Sequence, residues 1–233
     1  MSATDTIGPV AARVAAVRTA SAEPRASHQP HERAGLPEIH SSLWAALAEC
    51  AARARLSTLG LMLRVAGRTL AMSGRLLRGE TPFKLRQKFL PLAALDRVLA
   101  SRLDSAARRA AMEMVLRAAV SAETGRQFRS VMSAPRVGSI AAQYRKVHRG
   151  AGRHQRVRYE VDAPGCFQFA VTDCAFLRTL RELGIGELAT AMCEADACFW
   201  TRAVEGRGIR FSKSRDTIAR GGDCCRSTFA QES

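Results

Sequence analysis

RVRYEVDAPGCFQFAV, residues 156–171, is where the hydropathic period of this 233-residue chain changes from near 3.6 to 2. Val157, Tyr159 and Val161 alternate on one side of the stretch. Phe167, Phe169 and Val171 alternate after a turn supplied by Ala163, Pro164 and Gly165, and the pattern is that of a β-hairpin. Thr172 or Asp173 is placed to cap a helix through CAFLRTLREL, which Gly184 closes, and a second helix is expected from about residue 187 to 204. GIRFSKSRDTIA and DCCRSTF then read as two further strands around a Gly221-Gly222 turn. The expected fold class is α+β, an N-terminal helical half packed on a small antiparallel sheet with two helices inserted between its hairpins.

Upstream of the flexible joint GAGRH, the chain reads as helices. Ser41 and Ser42 are placed to cap LWAALAECAARARL, with Trp44, Leu47 and Ala51 on one face. Ser57 opens STLGLMLRVAGRTLAMSGRLLRG, which Gly79 ends. At about 100° per residue, Arg64, Arg68, Arg75 and Arg78 share one sector of this helix, and Leu59, Met62, Ala66, Leu70 and Leu77 lie opposite. Such a helix can lie on anionic lipid or pack its apolar face into the protein's own core, and the core is the expectation. TPFKLRQKFLP reads as a basic connector bounded by Pro82 and Pro91, and PLAALDRVLASRL as a separate helix with Pro91 in its first turn. Asp104 or Ser105 caps the longest helical pattern, with Met112, Val115, Leu116 and Val120 as its core stripe, and Ala134-Pro135 stops it. GSIAAQYRKVHRG makes a shorter helix. Residues 1–42 are rich in Ala, Ser, Thr, Pro and His and are expected to form an unpacked tail, with His28, His31 and His40 at no metal-ligand spacing; 43–150 form a basic helical region and 151–233 an α+β region, the last two as one domain.

The net charge of +15 is carried almost entirely by the middle of the chain: residues 43–150 have 20 basic and 6 acidic side chains, whereas the excess is zero before them and +1 after. This localisation suits an anionic surface met through Arg64, Arg68, Arg75 and Arg78. Two tyrosines and two tryptophans offer few stacking platforms, and no nucleic-acid motif is present. No apolar run reaches the roughly 18 residues of a spanning helix. Seven cysteines, an odd number at uneven spacings without a secretory leader, read as thiols in a reducing, cytoplasmic setting.

Six of those cysteines lie between Cys166 and Cys225. Cys174 begins one helix and Cys193 lies in the next, with Asp196 on the same face one turn later. A thiol at a helix N-terminus gains from the dipole, which is expected to lower the pKa of Cys174. A cysteine–histidine couple is not expected, because the last histidine, His154, precedes the hairpin and would have to fold back to reach any of these thiols. The vicinal Cys224-Cys225 pair suits one tetrahedral ion poorly, so neither metal nor cofactor is expected.

FQFAVTDC, LGIGEL, CEAD and DTIARGGDCC occur in that order within residues 167–225. Together they resemble the bacterial L-2-amino-thiazoline-4-carboxylic acid hydrolase family over about residues 100–230. The resemblance implies a hydrolase of non-peptide C–N bonds that acts on a small cyclic amidine or isothiourea-like molecule, the namesake reaction opening a cyclic isothiourea to a carbamoyl-cysteine. It implies catalytic roles for Cys174, Cys193, Asp196 and Cys225: a thiolate or an activated water attacks the amidine-like carbon, and a carboxylate holds the amidine nitrogens. Substrate contacts are implied for Thr172, Lys213, Thr217 and Arg226. The chain departs from the family pattern at Ala170, Lys213, Arg226 and Thr228, which implies either a changed substrate or lost catalysis. The rival is a non-catalytic member that serves as a ligand-binding or interaction module with a basic, anion-binding helical surface.

Overall fold

The computed structural model of the protein describes residues 36–74, 79–150 and 154–232, with the side chains of the first helix described from Leu43 onward. His28, His31 and the side chain of His40 lie outside the described residues, as do Arg75, Leu77 and Arg78.

Helix α1, Leu36–Arg53, starts ahead of the Ser41-Ser42 cap expected for it and takes in Pro37 near its first turn, where a missing N–H costs nothing. Residues 36–42 are therefore helical rather than tail. Helix α2, Thr58–Ala71, begins where Ser57 was expected to start it, the Ser57 Oγ accepting from the Gly60 N–H at 3.0 Å. Its burial is the reverse of the expectation. Leu61 is buried, but Leu59, Met62 and Leu70 are exposed, because Leu61, Val65 and Met72 form the stripe that meets the core. The hydropathic period identified an amphipathic helix and could not say which way the helix turned.

The second correction is at Pro91. Helix α3, Phe83–Ala100, runs straight through it, so the connector and the helix expected on either side are one element. Pro91 removes a single bond, to the Gln87 carbonyl; both residues are exposed, so water can satisfy that group. Burial of Leu85, Leu90, Ala93, Ala94, Leu95 and Leu99 along the inner face outweighs the loss. Helix α4, Ser105–Gln127, is capped by Asp104, whose Oδ1 accepts from the Ala107 N–H at 2.8 Å, and buries Met112, Val115 and Leu116. A single turn, α5 at Arg129–Met132, and α6 at Val137–Gly150 follow.

The sheet contains β1 (Gln155–Ala163), β2 (Cys166–Cys174), β3 (Ile209–Lys213) and β4 (Cys225–Gln231) in the order β1-β2-β4-β3, all neighbours antiparallel. Helices α7, Ala175–Glu182, and α8, Ala189–Val204, are inserted between β2 and β3. Phe167, Phe169 and Val171 of β2 stand opposite Phe229, Ser227 and Cys225 of β4, which puts Cys225 on the inner, helix-covered face and Arg226 on the outer one. Trp200 on α8 is fully buried among Phe128, Tyr144 and Phe229, with ring centroids 4.8 and 4.9 Å from Phe128 and Phe229. This aromatic group joins the sheet to α4–α6 in the same core, which extends through α1 and α3.

Candidate active site

At the end of the sheet where β2 finishes and β4 begins, three thiols face one another. Cys174 ends β2 and stands at the N-terminus of α7; Cys225 opens β4 opposite Val171; Cys193 comes down from α8. Cys174 and Cys225 are buried and Cys193 half-buried, and all three are free thiols. Lys213, the last residue of β3, reaches into the same space. Its ammonium donates to Asp196 Oδ2 at 2.7 Å and to the Cys193 carbonyl at 3.3 Å, while Oδ1 of Asp196 makes no hydrogen bond among the described residues.

The turn that carries Cys225 is set by backbone contacts. In the 214–226 segment, the Thr217 carbonyl accepts from the N–H groups of Arg220 and Gly222 at 2.8 and 2.9 Å, and Ser214 N–H donates to the Arg226 carbonyl at 2.8 Å. Gly221 has φ +88°, and a Cβ on Gly222 would lie 2.8 Å from the Asp216 carbonyl oxygen, so only glycine allows this approach. The result is a short helical turn, Ile218–Arg220, whose leading N–H at Ile218 donates to the Cys225 sulfur at 3.3 Å. Thr217, just before it, is buried with its Oγ1 lacking any partner among the described residues.

These surroundings separate the three thiols. The neighbouring Cys193 thiol lowers the Cys225 pKa from the ordinary 9.0; burial opposes this, and the Ile218 N–H, the Lys213 ammonium and the Ala219 N–H add to the lowering. Cys193 moves the other way, raised by that same contact with Cys225 and by burial. Cys174 is also raised: desolvation exceeds the help of the Leu177 and Phe176 N–H groups and of the Gln155 side chain, which corrects the expectation of a dipole-lowered thiol there. Burial pushes the Lys213 ammonium down, but Asp196, Cys193 and Cys225 more than offset it and its pKa is raised. The cluster therefore combines a thiol whose ionisation is favoured, two whose ionisation is disfavoured, and a cation fixed by a carboxylate.

Thr172 and Arg226 are not in this space. Thr172 is exposed, its Oγ1 donating to the Arg156 carbonyl at 3.3 Å. Arg226 points from the outer face and grips Glu160 of β1 with Nε and Nη2 at 2.5 and 3.0 Å. Ala170 stands directly opposite Arg226, and Thr228 follows on that same outer face, so three of the four departures from the family pattern lie away from the thiols and only Lys213 is among them.

Two residues that sequence reasoning did not single out bear on the cluster. Tyr144 on α6 is buried, and its hydroxyl pKa is raised well above 10.0 by burial and by the neighbouring Asp196. Glu194, next to Cys193, ties the 218–220 turn to α8 and α4 by accepting from Arg220 Nη2 at 2.7 Å and Arg117 Nη2 at 3.0 Å. Neither carries a spacing signal, since Tyr144 lies far upstream and Glu194 looks like any exposed helix carboxylate. Among the described residues, no three His, Cys, Asp or Glu side chains are arranged to hold a metal ion, and no helix is long and apolar enough to cross a membrane.

No curated protein and no solved structure matched the chain. The family model of L-2-amino-thiazoline-4-carboxylic acid hydrolase matches residues 83–229, which span α3 to β4 and include every member of the thiol cluster and its turn. The chain belongs to the L-2-amino-thiazoline-4-carboxylic acid hydrolase family.

Proposed function

We propose that this protein is a hydrolase of a small cyclic amidine or isothiourea-like molecule, with Cys225 as its nucleophile. The observation that carries the reading is the setting of Cys225: its sulfur takes the Ile218 N–H at 3.3 Å and faces the Cys193 thiol and the Lys213 ammonium, the three groups that favour a thiolate. Asp196, held on one oxygen by Lys213, would use the other to bind the protonated amidine nitrogens, and the orphan Thr217 hydroxyl would meet the substrate next to the nucleophile.

In the reaction that the family's name implies, the Cys225 sulfur forms a bond to the amidine carbon and the ring bond to the leaving atom breaks, that atom taking a proton. Water then adds to the enzyme-bound carbon and expels Cys225 as thiolate. Atom balance decides which ring bond opens. A carbamoyl-cysteine keeps both nitrogens on the attacked carbon, so the ring sulfur must leave and a free thiol must appear; cleavage at nitrogen would instead leave the sulfur on the carbon. Incubating the protein with L-2-amino-thiazoline-4-carboxylate, and following free thiol alongside carbamoyl-cysteine, distinguishes the two. Turnover that is absent, or that survives Cys225→Ser unchanged, overturns the proposal. The engagement of Arg226 with Glu160 supports a second reading only for the substrate carboxylate: its cation has to be Lys213 or a group outside the 226 position.

A further inference from the structure

The outward side of α2 is the feature that the thiol site does not use. Leu61, Val65 and Met72 fix the direction in which the helix meets the protein. At about 100° per residue, Leu59, Leu63 and Leu70 all fall within roughly 40° of the opposite direction, straight out from the body. They are 66%, 64% and 75% exposed, and Met62 at their edge is 40% exposed. Three leucines on one sector of a four-turn helix are more than scattered surface apolarity, and such a patch marks a contact surface.

The charges around it indicate what kind of contact. Residues 50–79 contain no Asp or Glu. Arg64 stands about 100° from the outward direction, at the flank from which a long side chain can reach past an apolar face, and Arg68 lies further round. Both are exposed and neither makes an ion pair among the described residues. A second copy of this chain is a poor occupant, since a two-fold contact through α2 would bring the same arginines together with no acid to pair them. An anionic bilayer supplies both hydrocarbon for the leucines and phosphate for the arginines. The family match begins at Phe83, so α2 also lies outside the region that carries the hydrolase motifs.

We infer that α2 is a docking surface that lays this protein on anionic lipid bilayers through Leu59, Leu63 and Leu70, flanked by Arg64. The helix lies on the surface and does not span it. The inference is independent of the thiol chemistry.

The test is co-sedimentation of the full chain with vesicles of phosphatidylcholine alone and with about a third phosphatidylglycerol. Binding is expected on the mixed vesicles, at least about ten-fold weaker on phosphatidylcholine alone, and strongly reduced when added salt shortens the Debye length to about 3 Å. Leu63→Glu/Leu70→Glu is expected to lower binding at least about ten-fold while the circular dichroism spectrum and melting midpoint stay put, because both side chains are already in water. Arg64→Gln/Arg68→Gln is expected to remove the preference for phosphatidylglycerol. Equal binding to both vesicles, undiminished binding by the leucine double variant, or a dimer in sedimentation that the leucine variant dissolves would each overturn the inference.

Discussion

Cys174 and Cys225 sit at the same end of one sheet, on neighbouring strands, each beside the start of a helical turn. By the helix-terminus argument they should behave alike, and Cys174, with the longer helix behind it, should be the more acidic. The opposite holds. Cys174 is raised because its sulfur is buried and Cys225 nearby tends negative, which the Gln155 side chain only partly offsets; Cys225 is lowered because a second thiol and an ammonium lie near it. Partial charge at a helix terminus is worth about 0.3–1 kcal/mol in ordinary cases, less than the burial of a thiolate without a partner. A helix terminus activates a thiol only when a donor and a full charge arrive with it.

The sharpest way to break the comparison is to remove each sulfur in turn. Cys225→Ser is expected to lower kcat by roughly 10³-fold or more, whereas Cys174→Ser leaves kcat within about three-fold. Rates that fall equally in the two variants would mean that the asymmetry has no chemical consequence.

Next in size is the loss of the cation. Lys213→Met removes the ammonium that Asp196 holds at 2.7 Å and is expected to lower kcat by about 10²-fold. The pH profile carries the specific signature. A thiol whose pKa lies below 9.0 is deprotonated on the acidic side of that value, so alkylation of Cys225 by iodoacetamide should persist at pH values well below 9.0 in the native protein. In Cys193→Ala, and to a smaller degree in Lys213→Met, the inflection should move up toward 9.0, while the raised Cys174 continues to react only on the alkaline side. An unmoved inflection in both variants would show that the Ile218 N–H alone sets the thiolate.

The contrast between the two thiols also marks where the sequence was legible. The period-two stretch around residues 156–171 made the hairpin legible, because one-residue slippage would turn Phe167, Phe169 and Val171 to water; the separate pairing of β2 with β4 carries Cys225 to the inner face. Asp104 and Ser57 were readable as caps because their side chains act within their own turn. The gathering of Cys174, Cys193, Asp196 and Lys213 around Cys225 is tertiary, and no local pattern distinguishes Lys213, which enters the cluster, from Arg226, which turns to Glu160. Strand alternation does separate them once the register is known, since Arg226 is one residue from Cys225 and must point the other way. Pro91 and the outward face of α2 were misread for a related reason: each depends on what lies beside the helix, and the hydropathic pattern holds only the helix itself.

A smaller effect is expected from the turn. Gly222→Ala places a Cβ 2.8 Å from the Asp216 carbonyl oxygen, a backbone atom that can yield only if the 216–222 segment shifts. That shift would draw the Ile218 N–H from Cys225, so the expected result is about 1–3 kcal/mol of lost stability together with a higher Cys225 inflection. Loss of stability with an unchanged inflection would separate the loop's structural role from its role at the sulfur.

The smallest effect tests the quiet partner of the pair. Cys174→Ala removes one buried sulfur from a packed position and is expected to cost about 1 kcal/mol, read from denaturant midpoints. Its sign with pH distinguishes it from an ordinary cavity. The folded-state pKa of Cys174 is raised above 9.0, so the native protein holds this proton where the unfolded chain has released it. Its contribution is then fully present below pH 9.0 and is lost as the pH rises through the folded value. The gap between native protein and Cys174→Ala should therefore be constant in neutral solution and narrow in alkali. A gap that stays constant through the alkaline range would mean that Cys174 is as free to ionise as an exposed thiol, and its burial would no longer explain why the better-placed helix terminus holds the less reactive sulfur.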